Sequence, residues 1–243
     1  LQARSCGVPP CERPRSKFVH QRAPEMGQTE WKAQEVLRTG CFGPLPPWHE
    51  ERRFRISSTK AHAIRTKMND EGLERAAVSL CKTSSYTSAA MRYGINTEAI
   101  AREELQRKLG IRIVQAGLVV LPQQPWLCCS PDGLTKIGSE TVLIEIKCTF
   151  KYRKEPFINY EERRSFLPYL MFDRDLIVLR TTHAYYTQIQ VQMYILNLQW
   201  AIFYVYSPKH SVIVKVIRDE AFLWELIPKM EYFYFKFLIQ RLL

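Results

Sequence analysis

The sequence predicts a mixed α/β protein in which helices precede and follow a central mixed sheet. Apolar residues recur at steps of three and four, as in helices with one buried face, in residues 94–109, 183–200 and 219–243. Alternating or continuous apolar stretches typical of strands occupy residues 142–147, 201–206 and 211–217. This order of elements makes an α/β sandwich with the strands in its middle layer.

Residues 1–46 differ in composition from the rest of the chain. They hold six prolines among many arginine, glutamine and lysine residues and show little apolar periodicity. This composition predicts a basic, proline-rich, disordered leader, followed by one domain over residues 47–243. The chain also begins at Leu1 rather than at a methionine, which suggests a fragment.

The overall composition is that of a globular protein with a polyanionic partner. The 243 residues are 46% hydrophobic and carry a formal net charge of +11; nucleic acid is the commonest partner of such a chain, with a membrane surface as the alternative. Because no run of about 18 apolar residues and no signal peptide is present, we expect an intracellular, soluble protein that spans no membrane, nuclear if its source is eukaryotic. The seven cysteines show no repeated C-x-x-C spacing, which favours free thiols over disulfides or a zinc finger.

The main candidate for chemistry is the segment Ser130-Pro131-Asp132-Gly133 together with the strand that follows it. Side chains alternate between the two faces of a strand, so Glu145 and Lys147 share one face while the apolar residues beside them face the core. A short strand over residues 126–129, ended by the Pro-Asp-Gly turn, is expected to pair with this strand as a hairpin. That hairpin would place Asp132 beside Glu145.

Two carboxylates held side by side resist joint ionisation unless a cation lies between them. Oxygen ligands and this charge favour a divalent metal, with magnesium as the best fit. Lys147, two residues beyond Glu145, has an ammonium that can stabilise developing negative charge or orient an attacking water. Two acids and a lysine in this pattern indicate phosphodiester hydrolysis; the alternative is an ordinary surface hairpin with Glu145 and Lys147 in solvent.

Two further groups of candidates lie ahead of this segment. Arg52 precedes Ser57 and Thr59 at the start of a helix, where a guanidinium, hydroxyls and backbone N–H groups can bind a phosphate, although the hydroxyls can equally cap the helix. Glu98 heads the buried stripe of a helix that Gly110 is expected to end. Its position predicts either a third acid for the metal or an acid favoured by the helix dipole.

Two more groups follow the central strand. Lys151 and Arg153 belong to a basic and aromatic segment directly after it and are placed to contact a nucleic-acid backbone. Residues 155–183 are predicted to form an irregular surface insertion that includes a short strand over residues 176–179. Gln190, on the helix after the insertion, can orient a water or a phosphate oxygen, or simply belong to a polar surface.

Five sequence fragments occur in an order that resembles one nuclease family. They are Trp48-His49 with Arg52 and Ile56-Ser57-Ser58-Thr59, Tyr93-Gly94 with Glu98 and Ala101-Arg102, Ser130-Pro131-Asp132-Gly133-Leu134, Glu145-Ile146-Lys147-Cys148, and Tyr185-Tyr186 with Gln188, Gln190, Gln192 and Met193. From about Trp48 to its end the chain is similar to the YqaJ-type viral recombinases, relatives of phage lambda exonuclease within the PD-(D/E)xK nuclease superfamily. The resemblance implies a restriction-endonuclease-like core, with a mixed central sheet flanked by helices.

The resemblance also implies a role for each candidate residue. The implied ligands of Mg²⁺ or Mn²⁺ are Asp132, Glu145, the main-chain carbonyl of Ile146 and, directly or through water, Glu98. The residues implied to act on the attacking water or to place it are Lys147 and Gln190. A pocket for a terminal phosphate is implied at Arg52, Ser57 and Thr59.

As a function, the resemblance implies a metal-dependent exonuclease that digests linear duplex DNA stepwise from its ends, 5′ to 3′, in recombination, repair or the processing of viral or mobile-element DNA. Ring-shaped trimers occur among relatives, so double-stranded DNA, further copies of the chain and a single-strand annealing protein are the partners implied. Two alternatives stay open from the residues: a catalytically idle DNA-binding or recombination module, and an endonuclease of the same superfamily.

Overall fold

A four-stranded mixed sheet forms the centre of the computed structural model, which describes residues 48–82 and 87–242. Its strands are β4 (Gly133–Ile137), β5 (Glu140–Cys148), β10 (Trp200–Ser207) and β11 (His210–Ile217), in the spatial order β11-β10-β5-β4. β5 and β10 are parallel, and the other neighbours are antiparallel. The predicted leader, residues 1–46, lies outside the described part of the chain.

Helices come before and after this sheet in the chain, as the sequence predicts. The preceding helices are α1 (Trp48–Arg53), α2 (Ala61–Arg65), α3 (Asp70–Cys81) and α4 (Ala89–Leu109). The following helices are α5 (Ala184–Leu196) and α6 (Glu220–Phe233), which continues as a π-helical turn, Tyr234–Leu238, and a 3₁₀ turn, Ile239–Arg241. Within the two described ranges, no helix has the length and apolar character needed to cross a membrane.

Short strands form three smaller sheets beside the central one. The strands β1 (Ile56–Ser57), β2 (Val119–Val120) and β3 (Leu127–Cys129) make a sheet of order β1-β3-β2, in which β1 runs parallel to β3. The predicted insertion contains two hairpins, β6 (Ile158–Asn159) with β7 (Arg164–Ser165) and β8 (Leu170–Asp173) with β9 (Leu176–Leu179). β9 confirms the predicted strand over residues 176–179, whereas the other three strands make residues 155–183 more regular than the sequence predicts.

The hairpin partner of β5 is β4, not the segment 126–129. β4 and β5 pair from Gly133 opposite Ile144 to the turn end of the hairpin, whereas residues 127–129 pair with β1 and β2 in the small sheet. The Pro-Asp-Gly turn therefore carries the chain from the small sheet into the central sheet. Asp132 lies at this junction.

The glutamine-rich helix α5 ends earlier than the sequence predicts. It stops at Leu196, and Asn197 adopts the left-handed conformation with φ of 50°, which asparagine tolerates at a helix end. The apolar residues from Trp200 onward belong to β10 instead. β10 lies between β5 and β11 and is buried on both faces, so its sequence shows no alternation that separates it from a buried helix.

Helices cover both faces of the central sheet. The larger core lies on the α5 side, where Leu143 of β5 and Phe203 of β10 belong to the same buried cluster as Ile189 and Met193. The smaller core lies on the α4 side and contains Ala101, Leu105, Ile144, Ile146, Ile202 and Tyr204. Neighbouring β5 residues thus enter different cores, which confirms the predicted alternation.

Helix α4 is bounded by specific end contacts. At its start, the Ser88 hydroxyl accepts a hydrogen bond from the N–H of Met91, and at its end Gly110 adopts φ of 64°, as the sequence predicts for a C-terminal cap. Ala101 and Leu105 are buried against the sheet. Glu98 precedes them by one turn, so it lies on the side of α4 that faces the sheet.

Two glycine-to-alanine substitutions should change stability in opposite directions. At Gly133 an added Cβ would lie 2.2 Å from the Cγ2 methyl of buried Ile113, whereas at Gly94, within α4, it meets nothing within 4 Å. We expect Gly133→Ala to lower the free energy of unfolding by about 1–3 kcal/mol through overpacking. Gly94→Ala should raise it by about 0.5–1 kcal/mol, because alanine loses less backbone entropy in a helix. Urea denaturation measures both; equal shifts would contradict the close approach at Gly133.

Candidate active site

Glu145 is a buried carboxylate held by three donors. Its side chain is 1% exposed. Oε1 accepts hydrogen bonds from Lys147 Nζ at 2.5 Å and Gln188 Nε2 at 2.6 Å, and Oε2 accepts one from Gln192 Nε2 at 2.9 Å. A buried charge is tolerated only when it is paired and hydrogen-bonded, and these contacts supply both.

Asp132 lies immediately before β4, at the edge of the central sheet. Its Oδ2 accepts a hydrogen bond of 2.7 Å from the main-chain N–H of Ile146, two residues beyond the last β4–β5 pair at Ile144. The N–H and C=O of one strand residue point to the same edge. The Ile146 carbonyl therefore faces the same edge as the Asp132 carboxyl.

The acids and the lysine influence one another strongly. Burial, and next the Glu145 carboxylate, raise the pKa of Asp132 to about 8, against the opposing effect of Lys147. Burial alone would lower the pKa of Lys147, but Glu145 and Asp132 outweigh it and raise that pKa above its ordinary value. The site thus combines an ammonium with two acids that repel each other, which is an arrangement that an added cation relieves.

Glu98 of α4 lies within electrostatic reach of Asp132. Its negative charge contributes to the raised pKa of Asp132, and burial together with Glu98 raises the pKa of Cys148 to about 12. The carboxylate itself is ion-paired with Arg102, one turn further along α4. Across residues 48–82 and 87–242, no three His, Cys, Asp or Glu side chains are grouped closely enough to hold a metal by themselves.

Gln190 does not belong to this cluster, contrary to the prediction. Its Nε2 donates to the Ile217 carbonyl at 2.8 Å and its Oε1 accepts from the Asp219 N–H at 2.8 Å, so it fastens α5 to the junction of β11 and α6. The reason is geometric, since a step of two residues turns a helix by about 200°. Gln188 and Gln192 are one turn apart and share the face that meets Glu145.

Gln188 and Gln192 donate hydrogen bonds to Glu145, a role that the sequence pattern alone does not assign to them. Both are buried, as is Gln190, in a helix whose other residues are mostly apolar. Buried amides need hydrogen-bond partners. Their spacing of four residues predicts that both lie on one face of the helix, because only residues three or four apart share a helix face.

The phosphate-pocket candidates lie together. Arg52 Nη2 donates a hydrogen bond of 3.2 Å to Thr59 Oγ1, which lies 2.9 Å from Ser57 Oγ. Helix α2 begins at Ala61, and the residue that precedes it, Lys60, makes no side-chain capping bond, so the capping alternative is wrong. The hydroxyls face the guanidinium instead of the helix end.

The small sheet brings the cluster of Arg52, Ser57 and Thr59 close to Glu145. Ser57 pairs with Cys128 in the parallel β1–β3 ladder, one residue before Cys129. Burial, then Cys128 and Glu145, raise the pKa of Cys129 well above its ordinary value, while Arg52 opposes the shift. Cys129 thus lies within electrostatic reach of both Arg52 and Glu145.

Lys151 and Arg153 lie on the exit from β5. The Nζ of Lys151 is 5.2 Å from the ring centroid of Tyr152, and Lys151 is exposed. The guanidinium carbon of Arg153 is 4.1 Å from the ring centroid of Phe150, and its Nη1 donates to the Phe150 carbonyl at 2.8 Å. Both cations therefore lie over aromatic rings in the segment that directly follows β5.

Comparison with solved structures defines the class of fold. The alkaline exonuclease LHK-Exo from Laribacter hongkongensis is 21% identical with a TM-score of 0.58, covering 80% of this chain and 94% of that one. A phage related exonuclease from Haemophilus somnus is 15% identical with a TM-score of 0.51, covering 77% and 95%. A SOX–DNA complex is 13% identical with a TM-score of 0.54, covering 84% and 72%. The fold is thus the restriction-endonuclease-like α/β fold of alkaline exonucleases, as the sequence predicts.

The sequence match defines the family. The profile of the YqaJ-like viral recombinase domain matches residues 47–199. The chain belongs to this family, which confirms the resemblance found in the five fragments. Among curated proteins there is no significant match.

A pH series should reveal the raised pKa of Asp132. Because that pKa rises from its ordinary value to about 8 on folding, the unfolded chain has released a proton that the folded protein keeps between about pH 4 and 8. The contribution of Asp132 to stability is therefore lost as pH rises through this window. In EDTA, the free energy of unfolding of the wild type minus that of Asp132→Asn should fall from pH 4 to 8 in urea denaturation. A difference that stays constant with pH would contradict the shift.

Proposed function

We propose that this chain is a divalent-metal-dependent deoxyribonuclease that hydrolyses phosphodiester bonds of linear duplex DNA from its ends. The observation that carries the proposal is the constellation of Asp132, Glu145 and Lys147 at the end of β5, with a buried glutamate whose orientation is fixed on both oxygens. LHK-Exo and the Haemophilus protein are described as exonucleases, which supports this reaction class.

The metal ligands that we propose are Asp132, Glu145 and the main-chain carbonyl of Ile146. These groups fit Mg²⁺ or Mn²⁺, because they offer oxygen atoms and two carboxylates whose mutual repulsion a dication relieves. Glu98 assists through water or after release from Arg102. A bound divalent cation supplies charge neutralisation at the phosphate and a more acidic water.

Lys147 acts as a fixed positive charge. Its pKa is raised, so it stays protonated at neutral pH and does not serve as a general base. Its Nζ lies 2.5 Å from Glu145 Oε1 and 5.0 Å from the ring centroid of Tyr185. From there the ammonium orients the attacking water and stabilises the negative charge that develops on the phosphate. Gln188 and Gln192 act as positioning residues for Glu145.

The residues that bind a DNA end in this proposal are Arg52, Ser57 and Thr59. Their guanidinium and hydroxyl donors suit a terminal phosphate, and their connection through Cys129 brings them near the acids. A terminal 5′-phosphate held there, with Lys151 and Arg153 on the backbone, gives stepwise digestion in the 5′ to 3′ direction.

The biological setting follows from the family and is part of the proposal. We infer a role in recombination, repair or the processing of viral or mobile-element DNA, with a ring-shaped trimer and a single-strand annealing protein as partners. An intracellular location, nuclear in a eukaryotic source, is consistent with a DNA substrate. Residues 1–46 add a basic leader to the nuclease domain of residues 47–243.

The decisive experiment compares linear, 5′-phosphorylated duplex DNA with a closed circle, in Mg²⁺ and in Mn²⁺. We expect loss of the linear DNA alone, and a decrease of at least about 100-fold in rate for both Glu145→Gln and Lys147→Gln. The first removes the charge of a proposed metal ligand, and the second removes a positive charge that stabilises the transition state. Glu140→Gln is the matched control, since Glu140 is exposed at the start of the same strand. Cleavage of the circle would indicate an endonuclease; binding without cleavage of either DNA would indicate an idle module.

Substitution of two neighbouring arginines, Arg52 and Arg53, tests the recognition of a DNA end. Arg52→Gln should reduce the preference for a 5′-phosphoryl over a 5′-hydroxyl end by about tenfold or more, because it removes a charge-assisted contact. Arg53→Gln removes the same charge from an exposed side chain and should leave the preference unchanged. Initial rates on the two linear substrates give the ratio. An equal effect of both substitutions would rule out a specific pocket.

A further inference from the structure

Four side chains form a stack on the surface beyond β5, which we call the cation–aromatic stack: Lys151, Tyr152, Phe166 and Arg164. Lys151 Nζ lies 5.2 Å from the centroid of the Tyr152 ring. The Tyr152 and Phe166 rings are stacked with their centroids 6.2 Å apart, and the guanidinium carbon of Arg164 lies 5.2 Å from the Phe166 centroid. Each of the two stacked rings therefore carries a cation.

The fold holds this stack in place. Tyr152 donates its hydroxyl hydrogen bond to the Phe166 carbonyl at 3.2 Å, and the Phe166 N–H donates to the Phe157 carbonyl at 3.0 Å. Phe157 is fully buried, so the β6–β7 hairpin is anchored in the core. The stack thus connects the segment that follows β5 to the β6–β7 hairpin.

The charges of the stack are not neutralised by acids. Among the described residues, no carboxylate forms an ion pair with Lys151 or Arg164, whereas the adjacent Arg163 pairs with Asp175 at 3.1 Å. Both stack cations are exposed, and the Phe166 side chain is 38% exposed. Accessible cations next to accessible ring surface favour a ligand that has both phosphates and aromatic faces.

We propose that the cation–aromatic stack binds single-stranded nucleic acid. In a duplex the base faces are already stacked on each other, so a protein side chain gains little from them. An unpaired base can stack on the exposed part of Phe166 and on the guanidinium of Arg164, while its phosphates bind the cations. Lys151 follows Lys147 by four residues, so their Cα atoms are at most about 14 Å apart. The inference rests on the proposed function, because digestion of one strand of a duplex leaves the other strand unpaired beside the site.

The test is fluorescence anisotropy in EDTA, with a labelled single-stranded oligothymidine and a duplex of the same length. We expect Phe166→Leu to weaken binding of the single strand about tenfold. Arg164→Gln should weaken it as well and reduce the slope of log affinity against log salt by about 0.7, the value for one lost phosphate contact. Arg163→Gln removes the neighbouring charge and should change neither affinity.

Two outcomes would overturn the inference. Equal losses for the single strand and the duplex would make the stack an ordinary backbone contact for duplex DNA, and unchanged affinities in both variants would exclude it from binding. Circular dichroism confirms that Phe166→Leu is folded, and Arg164→Gln tests the stack without altering its rings. Failure of the proposed function would appear separately, as absence of metal-dependent digestion by the wild type, since the binding assay contains no metal.

Discussion

The hydrogen bond from the Ile146 main-chain N–H to Asp132 is the contact on which the site depends. β4 stops pairing with β5 at Ile144, so the next N–H on this edge lacks a strand partner, and the Asp132 carboxylate takes that place. The bond keeps two carboxylates close together although they repel each other. The raised pKa of Asp132 shows that burial and repulsion are only partly offset. The same bond fixes the point at which the chain passes from the small sheet, which carries Ser57, to the central sheet, which carries Glu145.

The second constraint is the burial of Glu145, which dictates how α5 is used. A carboxylate in the core must be surrounded by donors, and the helix supplies Gln188 and Gln192 from one face while Lys147 supplies the charge. The opposite face carries Gln190, which fastens the helix to the β11–α6 junction. One helix thus orients the glutamate and is itself held by a similar amide contact, so displacement of α5 would disturb both the core and the acids.

Acidic side chains are grouped at the candidate active site, and cationic side chains lie in two other clusters. Asp132, Glu145 and Glu98 make the centre acidic, with Lys147 and Arg102 in contact with it. Further cationic groups are Arg52 at the end of α1, beside the small sheet, and the two cations of the cation–aromatic stack beyond β5. An acidic centre suits a divalent cation and cationic groups near it suit phosphates, which the net charge of +11 also favours.

Local pattern in the sequence determined much of this protein. The alternation of β5, the αL cap at Gly110, the mixed sheet between helices and the grouping of Arg52 with Ser57 and Thr59 follow from short-range rules, because period, capping and hydrogen-bonding capacity are properties of neighbouring residues. Tertiary structure decided the rest. Which strand pairs with β5, where α5 ends before the doubly buried β10, and which glutamine meets Glu145 all depend on partners distant in the chain. The spacing places Gln188 and Gln192 on one helix face and Gln190 on another, but only the packing of α5 between the sheet and α6 decides which face meets Glu145.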